Sequence, residues 1–234
     1  FNEASNGIFT GEEDCIIYDS TYLNTSSTYE NMCDHNNTIR DWYLPSSIEL
    51  EYMYSAIGPG ATNAGDFNSS YYMSSTSGGN NTTDVYKVVW FGGWNANTSA
   101  GDSYVISKET SSKVRPMRRA TIYPGSEFGV GDLYEGGMIF YKGVDYWDWG
   151  GDVCLIAALE DLPGVYLFGC MGIVTSNGVG PSIGYRNTLG IINAGCVTGG
   201  SAPTGAQAAF DFEVTIGEVV VTEVFTSPAE ITFD

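Results

Sequence analysis

The chain has 234 residues, with 28 acidic against 9 basic side chains, a formal net charge of −19 and a single histidine. A field of that sign repels phosphate backbones and anionic lipid, so no nucleic-acid partner is expected. No run of about 18 apolar residues is present, so no membrane insertion is expected either. Hydrophobic residues make up 43% and aromatic ones 14%, enough for sizeable cores, while 30 glycines and abundant Ser, Thr and Asn supply turns. This is the composition of a folded, loop-rich, extracellular protein, and its length allows one or two domains. The opening at Phe1, without initiator Met or signal peptide, is expected of a processed chain or a piece of a longer one.

In chain order, the first informative segment runs from Asp41 to Tyr54, where a buried-looking aromatic strand leads directly into an amphipathic helix. Ser46 is placed to cap that helix, and Glu49, three residues on, completes a capping box. Leu50, Met53, Tyr54 and Ile57 share one apolar face, and Gly58-Pro59-Gly60 ends the pattern after about three turns. The stretch from 60 to 103 is polar and reads as exposed loop. Val88 to Phe91, Tyr104 to Ile106, Met138 to Tyr141, Val153 to Ala158 and Val165 to Phe168 are short apolar runs between turn signals, as expected of strands in a mostly antiparallel sheet. From Phe212 to Val224 acidic and β-branched residues alternate, which predicts a half-exposed strand or hairpin. Helices should be few and short.

The segment Trp42-Tyr43-Leu44-Pro45-Ser46-Ser47-Ile48-Glu49-Leu50 resembles the W-x-L-P-S-x-x-E-L block of the Lcl C-terminal domain family, once catalogued only as a domain of unknown function. It is also similar to the R-L-P-T-x-x-E-W block of the formylglycine-generating enzymes, which share a C-type-lectin-like fold. Tyr71 to Ser77 is similar to the family's Y-W-S-S-T segment, and Val114 to Arg119 to its V-R-A-V-R end. Val130 to Tyr141, followed by Cys154 to Ala158, resembles its opening G-D-x-Y-x-G-G-I-I-F-Y and L-I-A-A strands. The resemblance implies an α+β, C-type-lectin-like fold of short antiparallel strands and few short helices. Family members resembling this chain occur in bacterial surface proteins and in phage fibre or appendage proteins, usually as large multi-module chains.

The block order is inverted, since the family's closing blocks precede its opening ones. Ser5-Asn6-Gly7 recurs as Ser176-Asn177-Gly178, Cys15-Ile16-Ile17 is echoed by Gly190-Ile191-Ile192, and Ser46 to Glu49 by Ser227 to Glu230, at separations of 171, 175 and 181 residues. The expected organisation is the C-terminal part of a first module in 1–120, a linker in 121–128 and the N-terminal part of a second module in 129–234. One circularly permuted domain, or chance likeness between Gly/Asn-rich loops, is the alternative. The second copy lacks the D-W-x-L-P approach, which questions whether it is a complete module.

Five cysteines cannot all pair internally, and none makes a C-x-x-C knuckle. Cys15 with Cys33 and Cys170 with Cys196 are the expected disulfides, each joining a helix-like segment to a neighbouring loop within one module. Cys154 is expected as a buried thiol. Disulfides imply an oxidising location, whereas five reduced thiols would suit assembly inside a cell. Asn24, Asn36, Asn68, Asn80, Asn81 and Asn97 begin N-x-[ST] sequons, glycosylation candidates only if the chain meets a glycosylating pathway.

Catalytic chemistry finds little support. His35, the one histidine, is expected in a solvated Asn-rich loop. Glu12-Glu13, Glu160-Asp161 and the set Asp145, Asp148 and Asp152 offer oxygen ligands or acid-base pairs, with calcium a possible ligand of the last, but without EF-hand spacing solvated carboxylates are expected. Residues 61–120 contain no cysteine, so the formylglycine-generating activity, which needs a reactive cysteine pair there, does not carry over. Trp94-Asn95 lacks the proline motif of calcium-dependent lectins. Trp90, Trp94, Asn95, Tyr146, Trp147 and Trp149 remain candidates for stacking on sugars or for a protein interface. The basic cluster Lys113, Arg115, Arg118 and Arg119 coincides with the V-R-x-x-R block of the resembled family, which implies internal ion pairs. The sequence thus predicts a non-enzymatic structural or assembly module, without a cofactor, on an extracellular, cell or virion surface. Self-association or contact with other structural subunits is expected. A carbohydrate-binding adhesin recognising host or cell-surface glycans is the alternative.

Overall fold

The computed structural model describes residues 38–78, 83–92, 100–121, 127–144, 152–173, 175, 178, 180, 181 and 183–216, except for the side chains of Val144 and Asp152. The segment singled out in the sequence organises it. Helix α1, Ser47–Ile57, starts at the Ser46 cap, whose hydroxyl accepts from Glu49 N at 3.3 Å while Ser46 N donates to Glu49 Oε2 at 2.6 Å. Leu50, Met53 and Ile57 are buried along one face, and Tyr54 packs edge-on against Phe91. Trp42 is fully buried, donating from its indole nitrogen to Ile39 O at 3.2 Å and meeting Phe212 edge-on.

The aromatic approach to α1 is not the strand the sequence suggests. Tyr43 makes a single bridge to Met117, and the next backbone groups are taken by a side chain, the Thr188 hydroxyl lying 3.1 Å from both Leu44 N and Leu44 O. Pro45, which has no N–H to add to a ladder, follows directly.

Nine strands and three helices make up the described α+β fold, and every strand pairing is antiparallel. Strands β2 (Tyr71–Ser77), β3 (Val85–Trp90) and β4 (Ser103–Ser107) form a three-stranded sheet in that order. Strands β5 (Met117–Thr121), β6 (Leu133–Tyr134), β7 (Gly137–Val144) and β8 (Asp152–Ala158) form a second, ordered β5-β8-β7-β6. Strands β1 (Thr38–Ile39) and β9 (Val214–Thr215) pair with each other.

The unbroken apolar run from Val153 to Ala158 has a simple cause: both faces of β8 are covered. Leu155 and Ala157 point into a core with Leu50, Met53, Phe91 and Phe140, whereas Cys154, Ile156 and Ala158 point to the opposite face with Trp42, Ile39 and Ile139. A third core lies between β2-β3 and the helices α2 (Gly184–Asn193) and α3 (Gly205–Phe210), where Leu44, Met73, Val88, Phe168 and Ile191 meet. Helix α2 comes in so tightly that a Cβ on Gly184 would lie 2.3 Å from Glu49 Oε2 and 2.9 Å from Leu44 O, so glycine is required there for contact with the α1 cap.

Segments on either side of 121–128 therefore share sheets and cores. Strand β5 pairs with β8 over five residues, from Met117 opposite Ala157 to Thr121 opposite Val153, and β1 pairs with β9. Four of the apolar runs read as strands are strands. Val165 to Phe168 is corrected: it makes one bridge, Tyr166 to Ser112, because the left-handed Gly164 and Gly169 turn the chain away on both sides. Of the alternating stretch 212–224, only Val214–Thr215 is a strand among the described residues.

Candidate functional site

Two buried arginines tie residues before 121 to residues after 127. Arg115 Nε donates to Asp161 Oδ1 at 2.7 Å, Nη1 donates to Ala158 O and Leu159 O at 2.9 and 2.7 Å, and Nη2 donates to Asp66 O. Its guanidinium lies 4.2 Å from the centre of the Phe67 ring. Asp161 is completed by Tyr72, whose hydroxyl donates to Oδ2 at 2.7 Å, and by Asn68 Nδ2 at 2.7 Å. Burial first, and the Asp161 carboxylate second, push the Tyr72 phenol well up from its ordinary value, so it stays a neutral donor.

Arg118 lies within β5. Its Nε and Nη2 grip both oxygens of Asp41 at 2.6 and 3.0 Å, and Nη1 pairs with Glu135. Burial works against its charge, but Asp41 and then Glu135 outweigh that cost and raise its pKa further. The expected internal ion pairs of the basic cluster are thus present at Arg115 and Arg118. Asp161 corrects the expectation of solvated carboxylates: its side chain is buried, while its neighbour Glu160 is exposed.

A half-open cleft of about 570 Å³ lies over the disulfide Cys170–Cys196, between the Lys108-Glu109 turn and the loops 167–173 and 195–199. Lys108 forms its floor. Its ammonium donates to Cys170 O at 3.0 Å and Ile173 O at 2.6 Å and lies 5.1 Å from the Phe168 ring centre. Burial lowers its pKa, opposed by the nearby Asp84 carboxylate. Cys170 adopts a left-handed φ of 57° between Gly169 and Gly172, both also left-handed, and this turns its carbonyl to the lysine. Met171, Ile173 and Val197 leave much of their apolar surface exposed around the cleft, Val197 as much as 73%.

The disulfide closes a loop over a sequence separation of 26. Replacing both cysteines by alanine is expected to lower unfolding stability by about 3.5 kcal/mol through the freed entropy of the unfolded chain, read from urea denaturation. Wild-type protein held under strong reductant should match the variant.

Of the residues the sequence proposed, Cys170 and Cys196 are joined and Cys154 is free and buried. Asn68 is exposed on its loop, with its amide held by Asp161. Trp90 is half-buried and packs on Tyr71 with ring centres 4.8 Å apart. Cys15, Cys33, His35, Asn24, Asn36, Asn80, Asn81, Asn97, Trp94, Asn95, Asp145, Tyr146, Trp147, Asp148, Trp149 and the Asp152 side chain lie outside the described residues. Sequence reading missed Lys108 as a buried cation and the acceptors Asp41 and Glu135. No local signal marks them, because their partners lie far along the chain.

Burial raises the Cys154 thiol from 9.0 to about 11, with Glu135 adding to the shift. The folded state therefore holds that proton where the unfolded state releases it. This contribution to stability is complete below pH 9 and is lost as pH rises through about 11. In a Cys154→Ala variant, the fall in urea midpoint across that window should be shallower than in the wild type.

No protein-family model, curated protein or solved structure matches the chain.

Proposed function

We propose that this chain is a non-enzymatic structural or assembly module with a C-type-lectin-like scaffold, part of an extracellular, cell-surface or virion-surface fibre, decoration or appendage. The observation that carries the reading is the use made of buried ionic chemistry: Arg115 bonds the Asp161 carboxylate and the carbonyls of Ala158 and Leu159, and Arg118 pairs with Glu135, which closes the seam between 38–121 and 127–216. Groups turned inward in this way hold a scaffold together. The W-x-L-P-S keystone with Trp42 and Leu50 buried supports the lectin-like assignment, and the inverted block order supports two part-modules that complete one another. A net charge of −19 suits a surface component that must stay dispersed. Its partners are further copies or other structural subunits of one assembly.

Electron microscopy of the cell or particle that makes the chain, labelled with an antibody raised against it, is expected to show regularly spaced label along an appendage or shell. Label confined to the cell interior would reject the reading. The adhesin alternative draws on the exposed apolar side chains of Met171, Ile173 and Val197 around the cleft over Cys170–Cys196. A reproducible, calcium-sensitive glycan-array signal that disappears in Trp94→Ala would move the assignment to a carbohydrate-binding adhesin.

A further inference from the structure

The two sulfurs of the Cys170–Cys196 disulfide are covered unequally. Cys170 is 4% exposed, whereas Cys196 is only half-buried, and both line the half-open cleft beside the exposed Met171 and Val197. A reagent entering the cleft meets Cys196 first. Behind the bond, the loop 169–173 is held to the residues that flank β3 and β4. Lys108 Nζ donates to Cys170 O at 3.0 Å and to Ile173 O at 2.6 Å, and Gly172 N donates to Asp84 Oδ1 at 2.9 Å. Lys108 itself is 1% exposed, so the loop that the disulfide ties down also seals this amine.

Two forces act on Cys170. Its φ of 57° is left-handed, which a residue with a Cβ adopts only under constraint, and the disulfide is the covalent part of that constraint. The Lys108 ammonium on its carbonyl sets a positive charge beside the residue, which favours its sulfur as a thiolate. Cys196 is therefore the more accessible sulfur and Cys170 the better leaving group.

We propose that Cys170–Cys196 is a thiol-exchange site of fixed polarity, which takes a small thiol or dithiol from the cleft at Cys196, and that its opening unseals Lys108. The incoming thiolate attacks Cys196 Sγ, the S–S bond breaks, and Cys170 Sγ leaves with the electron pair and takes up a proton. A monothiol stops at the mixed disulfide on Cys196. A dithiol goes further: its second sulfur attacks its first, it departs as a cyclic disulfide, and Cys196 is released as a thiol. Cys170 then relaxes from its left-handed φ and its carbonyl moves off Lys108. The left-handed cost of a residue with a Cβ corresponds to a population shift of about tenfold.

The test uses the full oxidised chain. It is treated first with glutathione, after which free thiols are capped with iodoacetamide and the peptides mapped by mass spectrometry. Glutathione should be found on Cys196 and the cap on Cys170. Equal occupancy of the two cysteines, excess glutathione on Cys170, or no mixed disulfide at all overturns the polarity. In the second arm, oxidised and dithiothreitol-reduced chains are pulse-labelled with an acetylating reagent. Acetylation of Lys108 should rise about tenfold on reduction, with the exposed Lys142 unchanged, and the Cys170→Ala/Cys196→Ala chain should label at the reduced rate with or without dithiothreitol. Buried Cys154 reports on the rest of the fold and should stay closed to iodoacetamide throughout. An unchanged Lys108 rate overturns the unsealing, and a rise accompanied by capping of Cys154 overturns it equally, because the whole fold has then opened.

Discussion

Replacing Arg115 by alanine is expected to cost about 3–5 kcal/mol of folding stability, among the largest losses available to a single substitution in this chain. The side chain is buried and closes four contacts at once: the Asp161 carboxylate and the carbonyls of Ala158, Leu159 and Asp66. Removing it strips the charged partner from the largely buried Asp161 carboxylate, which keeps only Tyr72 and Asn68, and unbonds the Ala158 carbonyl in the interior, and that loss exceeds what the pair contributes net. Lysine should not rescue it, because a single ammonium cannot reach acceptors spread around a planar fork. A urea midpoint shift equivalent to under about 1 kcal/mol would contradict this account. In a double-mutant cycle, Arg115→Ala with Asp161→Asn should cost clearly less than the two single changes added together.

Trp42→Ala is expected to fall in the same range, about 3–5 kcal/mol, for a different reason: it empties the largest volume in the core beneath β8. The indole fills the space between Ile39, Ile156 and Phe212 and also satisfies the Ile39 carbonyl. Trp42→Phe should recover much of the loss but not the hydrogen bond, leaving a deficit of about 1 kcal/mol. Both variants can be compared by urea unfolding, since a cavity in a packed core shifts the midpoint and leaves the slope unchanged. A neutral Trp42→Ala would mean that this ring does not hold the approach to α1.

How much was legible depended on how local the cause was. The α1 helix, its cap and its stop could be read because Ser46, Glu49, Leu50, Met53 and Gly58 all act within one or two turns. The runs that became β3, β4, β7 and β8 could be read because apolar residues sit between turn signals. The strand expected at Val165 to Phe168 is not formed: its backbone bonds go to Ser112 and then to Gly205 at the start of α3, and the left-handed Gly164 and Gly169 turn the chain away at each end. Helix α2 gave no start signal: its N-cap is Ile183, with no side-chain bond, and it is held instead by Thr188 and Gly184 against Leu44 and Glu49.

At the candidate site the division is similar. The pairing of Cys170 with Cys196 is expected from where those cysteines fall, and the inward role of the basic cluster from the resemblance of Val114 to Arg119 to a family block. Their partners do not, because Arg115 meets Asp161 across 46 positions and Arg118 meets Asp41 across 77. The cleft floor at Lys108 is likewise set by carbonyls more than sixty residues away.

By itself the sequence determined the acidic, loop-rich character of this protein, the capped helix at 47–57 and the runs that form β3, β4, β7 and β8, since charge, capping and periodicity are properties of neighbouring residues. Tertiary structure alone decided that 38–121 and 127–216 share their sheets, that Asp161 is a buried acceptor and that Thr38 faces Thr215. Each of these depends on which distant backbone and side-chain groups find one another once water is excluded, and no local pattern encodes that choice.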